Sequence, residues 1–210
     1  MLDFSTIKDI TIPEGVVARI EHNGQVLWKR ELPSGFTKIK GIEFDGNVIY
    51  DSGIRLNGSD SLKFKFKSTR TCNVLGCYTA TSAQTNYSLY VTYSGNYLRY
   101  NGGSYNSSYD AGVLYDVLIT PTGSHGLKVE SSWTEQSFVT ESDFLIGTTS
   151  YGATSAKFKG YFEGNIEILG REKFIPCIRI SDNEIGYYML NEGRFLQNVG
   201  TGIPVVLEDE

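Results

Sequence analysis

The sequence predicts an all-β protein, and three observations carry the prediction. The composition favours strands and tight turns, with 14 Tyr, 11 Phe and 23 Gly in 210 residues. No stretch sustains apolar residues at the i, i+3, i+4, i+7 spacing of an amphipathic helix. Alternating runs instead follow one another about every ten residues, punctuated by Gly, Asn and Pro. A chain of this length holds one large all-β domain or two modest ones, and buries a core without disulfides or a metal.

Residues 1–32 read as a small module of their own. The alternating runs 16–22 and 25–29 flank Asn23-Gly24. Asn-Gly between β-prone runs predicts a hairpin, because a type I′ turn needs positive φ at both central residues. Ile10, Ile12 and Pro13 lead into it, Trp28 is expected to anchor it, and the breakers Leu32-Pro33-Ser34-Gly35 read as a linker. So short a module is expected to pack on the main domain or on a partner.

The main domain spans 36–207. Its predicted strands are 39–44, 48–56, 62–67, 73–79, 87–93, 97–101, 113–120, 127–131, 137–139, 144–148 and 158–169. In the run 62–67, Leu62, Phe64 and Phe66 face inward, and Lys63, Lys65 and Lys67 face outward. Outward lysines guard a solvated or edge strand, so this run is structural and not an anion site. No block repeats at a fixed period, which excludes a propeller or solenoid and leaves a sandwich or barrel.

A net charge of −5, from 19 Lys and Arg against 24 Asp and Glu, excludes non-specific nucleic-acid binding, which needs a dense basic surface. No run of 18 or more apolar residues exists, so no membrane-inserted helix is expected. The start Met1-Leu2-Asp3-Phe4-Ser5 shows no secretory signal, so synthesis is expected in the cytoplasm. Cys72, Cys77 and Cys177 are too few for a disulfide framework. Cys72 and Cys77 are near enough in sequence to pair; otherwise all three are half-buried thiols. His22 and His125 leave a zinc site or a His-based triad few partners.

The tail Phe174-Ile175-Pro176-Cys177, Ile185-Gly186-Tyr187-Tyr188 and 195–202 resembles the end of a concanavalin A-like, laminin-G-like jelly-roll domain found in phage and prophage structural proteins of gut bacteria. The run 158–169 is similar to the penultimate strand of that family. Tyr50-Asp51-Ser52-Gly53-Ile54 is similar to an early strand of it, with Ser52 where Thr is usual. The segment from Phe4 to Trp28 is similar to an N-terminal piece of phage virion proteins. The resemblance implies a jelly-roll sandwich of two antiparallel sheets, with carbohydrate on a concave face or at rim loops. It also implies attachment to other virion proteins through the N-terminal module, a place on the virion surface, and homo-oligomerisation as in tail fibres. For activity it is weak, because this fold hosts lectins, adhesion modules and glycosidases alike.

Hydrolases of this fold carry Glu-x-Asp-x-x-Glu on one strand, and this sequence has none. Glu163 and Glu167 would lie about 13 Å apart on a regular strand, too far for a retaining pair. Glu43 with Asp45 is the other nearby pair of carboxylates, and no enzyme is expected. No cofactor is expected; a rim calcium drawn from Asp45, Asp51, Asp60, Asp110, Asp143 or Asp182 is the alternative, although these are spread singly. The segment from Tyr78 to Tyr115 stands out, with nine tyrosines interleaved with Asn86, Asn96, Asn101 and Asn106. Between 71 and 127 only Arg99, Asp110 and Asp116 are charged. Aromatic faces stack on the C–H faces of pyranose rings, and amides exchange hydrogen bonds with hydroxyls. The candidate ligand contacts are Tyr90, Tyr100, Asn101, Tyr105, Asn106 and Tyr109, with a glycan or host surface ligand as partner. Packing within strands is the competing role for each tyrosine. A purely structural virion protein predicts buried tyrosines and an exposed apolar patch; a glycan binder predicts three or more solvent-facing tyrosines around a polar concavity.

Overall fold

The computed structural model describes residues 10–12, 15–17, 19–22, 25–29, 31–70, 72–77, 87–92, 95–101, 103–149 and 157–208. Within 10–29 and 87–97, and at 99, the description covers the backbone alone. Every regular element among these residues is a strand, and no helix is long and apolar enough to cross a membrane.

In chain order the strands are β1 (Ile10–Ile12), β2 (Gly15–Val17), β3 (Arg19–His22), β4 (Gln25–Lys29), β5 (Phe36–Lys38), β6 (Gly41–Asp45), β7 (Tyr50–Asp51) and β8 (Leu62–Ser68). Next come β9 (Leu75–Cys77), β10 (Tyr87–Thr92), β11 (Gly95–Tyr100), β12 (Gly103–Asn106), β13 (Leu114–Thr120), β14 (Gly123–His125) and β15 (Ser131–Ser132). The last are β16 (Leu145–Ile146), β17 (Lys159–Ile168), β18 (Glu172–Arg179), β19 (Glu184–Met189), β20 (Arg194–Leu196) and β21 (Val205–Val206).

The N-terminal region forms two antiparallel pairs, β1 with β2 and β3 with β4; Asn23-Gly24 joins the second, with His22 opposite Gln25. The remaining strands form two antiparallel sheets. The smaller runs β12-β11-β10-β9-β16-β7, and the larger runs β15-β14-β13-β8-β17-β18-β19-β20 with β5, β6 and β21 off this path. β8 buries Leu62, Phe64, Phe66 and Ser68 and turns its lysines out, as its alternation requires. Those lysines meet acids: Lys65 lies 3.4 Å from Asp116, and Lys63 pairs in register with Glu167.

The large sheet forks at β17. Its first half pairs with β6, and its second half pairs with β18. The change falls at a bulge between Glu163 and Glu167, where Gly164 takes φ 71° and donates its N–H to Lys40. Pro176, which has no N–H, sits where β18 leaves β17 and takes β5 as its neighbour. Rings from both sheets fill the space between them: Phe44 meets Tyr50 at 5.8 Å, and Tyr50 meets Tyr187 edge-on at 5.1 Å.

The strands expected at 127–131 and 137–139 are replaced by β15 and a single bridge between Asn57 and Val139. The run 48–56 yields only β7, because its loop is held by side chains instead: Ile49 donates to Asn198, Gly53 to Asp51 and Leu56 to Thr140.

Candidate functional site: an aromatic and amide rim

The Tyr/Asn-rich segment builds the last two strands of the smaller sheet. Asn101, at φ 45°, turns the chain from β11 into β12, and Leu98 then stands opposite Tyr105. Gly103 is the first residue of β12, opposite Tyr100. Directly opposed residues share a face of a sheet, so Leu98 and Tyr105 lie on one side and Asn106, opposite Tyr97, on the other. Leu98 is buried, which makes that side the inner one; Tyr105 is only half-buried because β12 is the outermost strand of the six.

Trp133 organises the rim. Its ring stacks on Tyr100 at 5.2 Å and tilts against Tyr105 at 4.8 Å. Its indole Nε1 is buried without a hydrogen-bond partner. Tyr100 packs edge-on against Phe138 at 5.1 Å, donates its hydroxyl hydrogen to Gly58 O at 2.8 Å, and accepts from Gln136 N at 3.1 Å. Glycine at 58 is a steric requirement, since a Cβ there would lie 1.9 Å from Gln136 O. Beside this stack, the Asn101 side-chain amide donates to Gln136 Oε1. Asn106 is exposed.

Two of the expected contacts are corrected. Tyr100 has no exposed surface, so its ring offers no face to a ligand. Tyr109 is 6% exposed and meets Phe66 edge-on at 5.1 Å, while its hydroxyl accepts from Cys72 N at 3.3 Å and bonds Cys72 O at 3.2 Å. Burial, followed by the neighbouring Cys72, pushes its phenol well above the usual range. Both rings close the core because loops and edge strands at a sandwich end must cover the last apolar layer. Asn101 and Tyr105 remain on the rim, and Asn106 is exposed on the opposite face of β12. The backbone of Tyr90 pairs with Tyr97; its side chain lies outside the described residues. Trp133 and Gln136 complete the group, and no periodicity in the segment 121–143 could have placed them there.

The acidic residues have local partners. Asp45 accepts from Asn47 N and Ile203 N; Asp60 pairs with Arg171 at 2.6 Å; Asp110 pairs with Lys128 at 2.8 Å; Asp182 grips Arg179 with both oxygens. Asp143 lies 4.0 Å from Arg55, and Asp51 accepts from Gly53 N. Among the described residues no three His, Cys, Asp or Glu side chains are placed to share a metal. Glu163 stands opposite Lys65, and Glu167 lies 3.9 Å from Lys173. All three cysteines are buried free thiols.

No protein-family description matches the chain, and comparison with characterised proteins returns no similar one. What the rim can do therefore follows from its chemistry: a half-buried phenol backed by indole, with the Asn101–Gln136 amide pair beside the stack.

Proposed function

We propose that the protein is a non-enzymatic adhesion or display component of a phage or prophage particle, built as a concanavalin A-like jelly roll and carried by its N-terminal hairpins. On this reading the β11–β12 rim binds carbohydrate or another host surface ligand. The observation that carries the binding role is the Tyr105–Trp133 pair at a sheet edge, with the Asn101–Gln136 amide pair beside it and Asn106 exposed on the opposite face of β12. A half-buried ring supported from behind is a rigid stacking platform, and the Asn101 and Gln136 amides, joined through one N–H and one oxygen, keep further donors and acceptors for sugar hydroxyls. The particle assignment rests on the sequence resemblance.

The test is a glycan array probed with multivalently displayed protein, wild type beside Tyr105→Ala and Asn106→Ala. Binding that falls at least tenfold in Tyr105→Ala supports the rim. Binding that survives both substitutions removes the rim from the reading. No binding at any density favours a structural role, which draws its own support from buried Tyr100, Tyr109 and Tyr187 and from exposed apolar residues in the tail, Val199, Ile203 and Val205.

A further inference from the structure

The segment that reads as a linker in sequence is fastened to the large sheet. Leu32 is 5% exposed and belongs to a second apolar cluster with Ile175, Cys177 and Tyr188, against which Phe36, Leu190 and Phe195 pack. Phe174 belongs to the main core, so its neighbour Ile175 faces the opposite side of β18. This second cluster therefore lies outside the two-sheet core. The Glu31 carboxylate reaches Lys38 at 2.5 Å with one oxygen and Lys173 at 2.7 Å with the other. Ile180 N donates to Gly35 O at 2.9 Å, and β5 then pairs with the end of β18. Phe36 lies 4.9 Å from Tyr188 and 5.4 Å from Phe195, whose ring carries the Arg179 guanidinium at 4.7 Å.

We propose that residues 31–36 are a clasp that fixes the exit point of the N-terminal hairpins on the outer face of β18 and β19. A flexible tether would let the hairpins swing; the clasp makes them transmit load to the body. Its fastenings before Pro33 are one buried leucine and the two ion pairs of Glu31; the Gly35 carbonyl and the Phe36 ring hold its far end. Both lie across the sheet from the main core, so the clasp opens in a local step that leaves that core intact. Its use in attachment rests on the reading of residues 1–32 as the particle-binding module; its existence does not.

Lys29 and Arg30 immediately precede the clasp. Trypsin cutting after Arg30 must draw Glu31, Leu32 and Pro33 into its own cleft in extended form, which requires Leu32 to leave its cluster. The experiment compares the initial rate of that cut in the full chain, in Leu32→Ser and Glu31→Gln variants, and in a synthetic peptide of residues 25–38. The full chain is expected to be cut at least tenfold more slowly than the peptide. Leu32→Ser is expected to accelerate the cut at least tenfold while cooperative thermal unfolding persists, and Glu31→Gln to accelerate it less. Cleavage of the wild type at the peptide's rate, or no acceleration in Leu32→Ser, overturns the clasp. Equal acceleration of cuts throughout the body also overturns it, since Leu32 would then belong to a single core. Hairpins that bind no particle protein would sink the attachment reading and leave these rates untouched.

Discussion

Tyr50 and Tyr187 are a natural pair for a substitution of opposite sign. Both are fully buried, and their rings meet at 5.1 Å and 90°. The Tyr50 hydroxyl donates to Ile185 O at 3.1 Å, whereas the Tyr187 hydroxyl has no hydrogen-bond partner. Burying a hydroxyl without a partner costs about 1–3 kcal/mol on the scale of protein substitutions. Replacing Tyr187 by Phe removes that cost and leaves a void of one oxygen atom, worth only about 0.3 kcal/mol. The variant is expected to be more stable by about 1 kcal/mol. Tyr50→Phe breaks a bond worth about 1 kcal/mol net and is expected to lose that much. The gap between the two is then about 2 kcal/mol, a separation of roughly 4–8 °C in Tm for a domain of this size. Urea unfolding with an unchanged m-value measures it directly. If Tyr187→Phe proves destabilising by 1 kcal/mol or more, the hydroxyl has a hidden partner such as an enclosed water, and the account of this part of the core is wrong.

Two further outcomes follow from buried polar groups. Glu172 is 3% exposed, and its carboxylate accepts the N–H groups of Lys173, Asn191 and Glu192 at 2.8, 2.8 and 3.0 Å, pinning the turn between β19 and β20. Glu172→Gln must aim its NH₂ at one of those donors, so a loss of about 2–3 kcal/mol in urea unfolding is expected; a loss under about 0.5 kcal/mol would refute the pinning role. Burial raises the thiols of Cys77 and Cys177 from 9.0 to about 12, against weaker lowering by their hydrogen bonds. The native protein should therefore resist thiol reagents at pH 9 until denaturant is added. Its stability should be intact below pH 9 and decline as pH rises toward 12, because the unfolded thiols ionise first. Fast labelling of native protein at pH 9 would contradict that burial.

How far the sequence discloses this molecule depends on which physical constraint is local. Strand β8 is legible because alternation of Phe and Lys needs no knowledge of its neighbours, and β13 and β17 match their predicted runs to within one residue at each end. The pairing of β3 with β4 is legible because Asn-Gly between two alternating runs is a local hairpin signal. Alternation also groups Leu98 with Tyr100 correctly. It says nothing about which face meets the second sheet, and that question decides whether Tyr100 is a ligand platform or a core residue. The answer comes from Gly58, Trp133, Gln136 and Phe138, which lie 33 or more residues away in sequence and converge only through loop geometry. Tyr109 illustrates the same limit, since a loop tyrosine with no strand periodicity turns out to seal Phe66 and Cys72. The linker shows the converse case. Pro33-Ser34-Gly35 does break regular structure, as its composition predicts, yet Leu32 just before it supplies an anchor whose pocket is assembled from β18 and β19, far downstream. A breaker fixes where a strand ends; whether the chain then hangs free depends on what its nearest apolar side chain can reach.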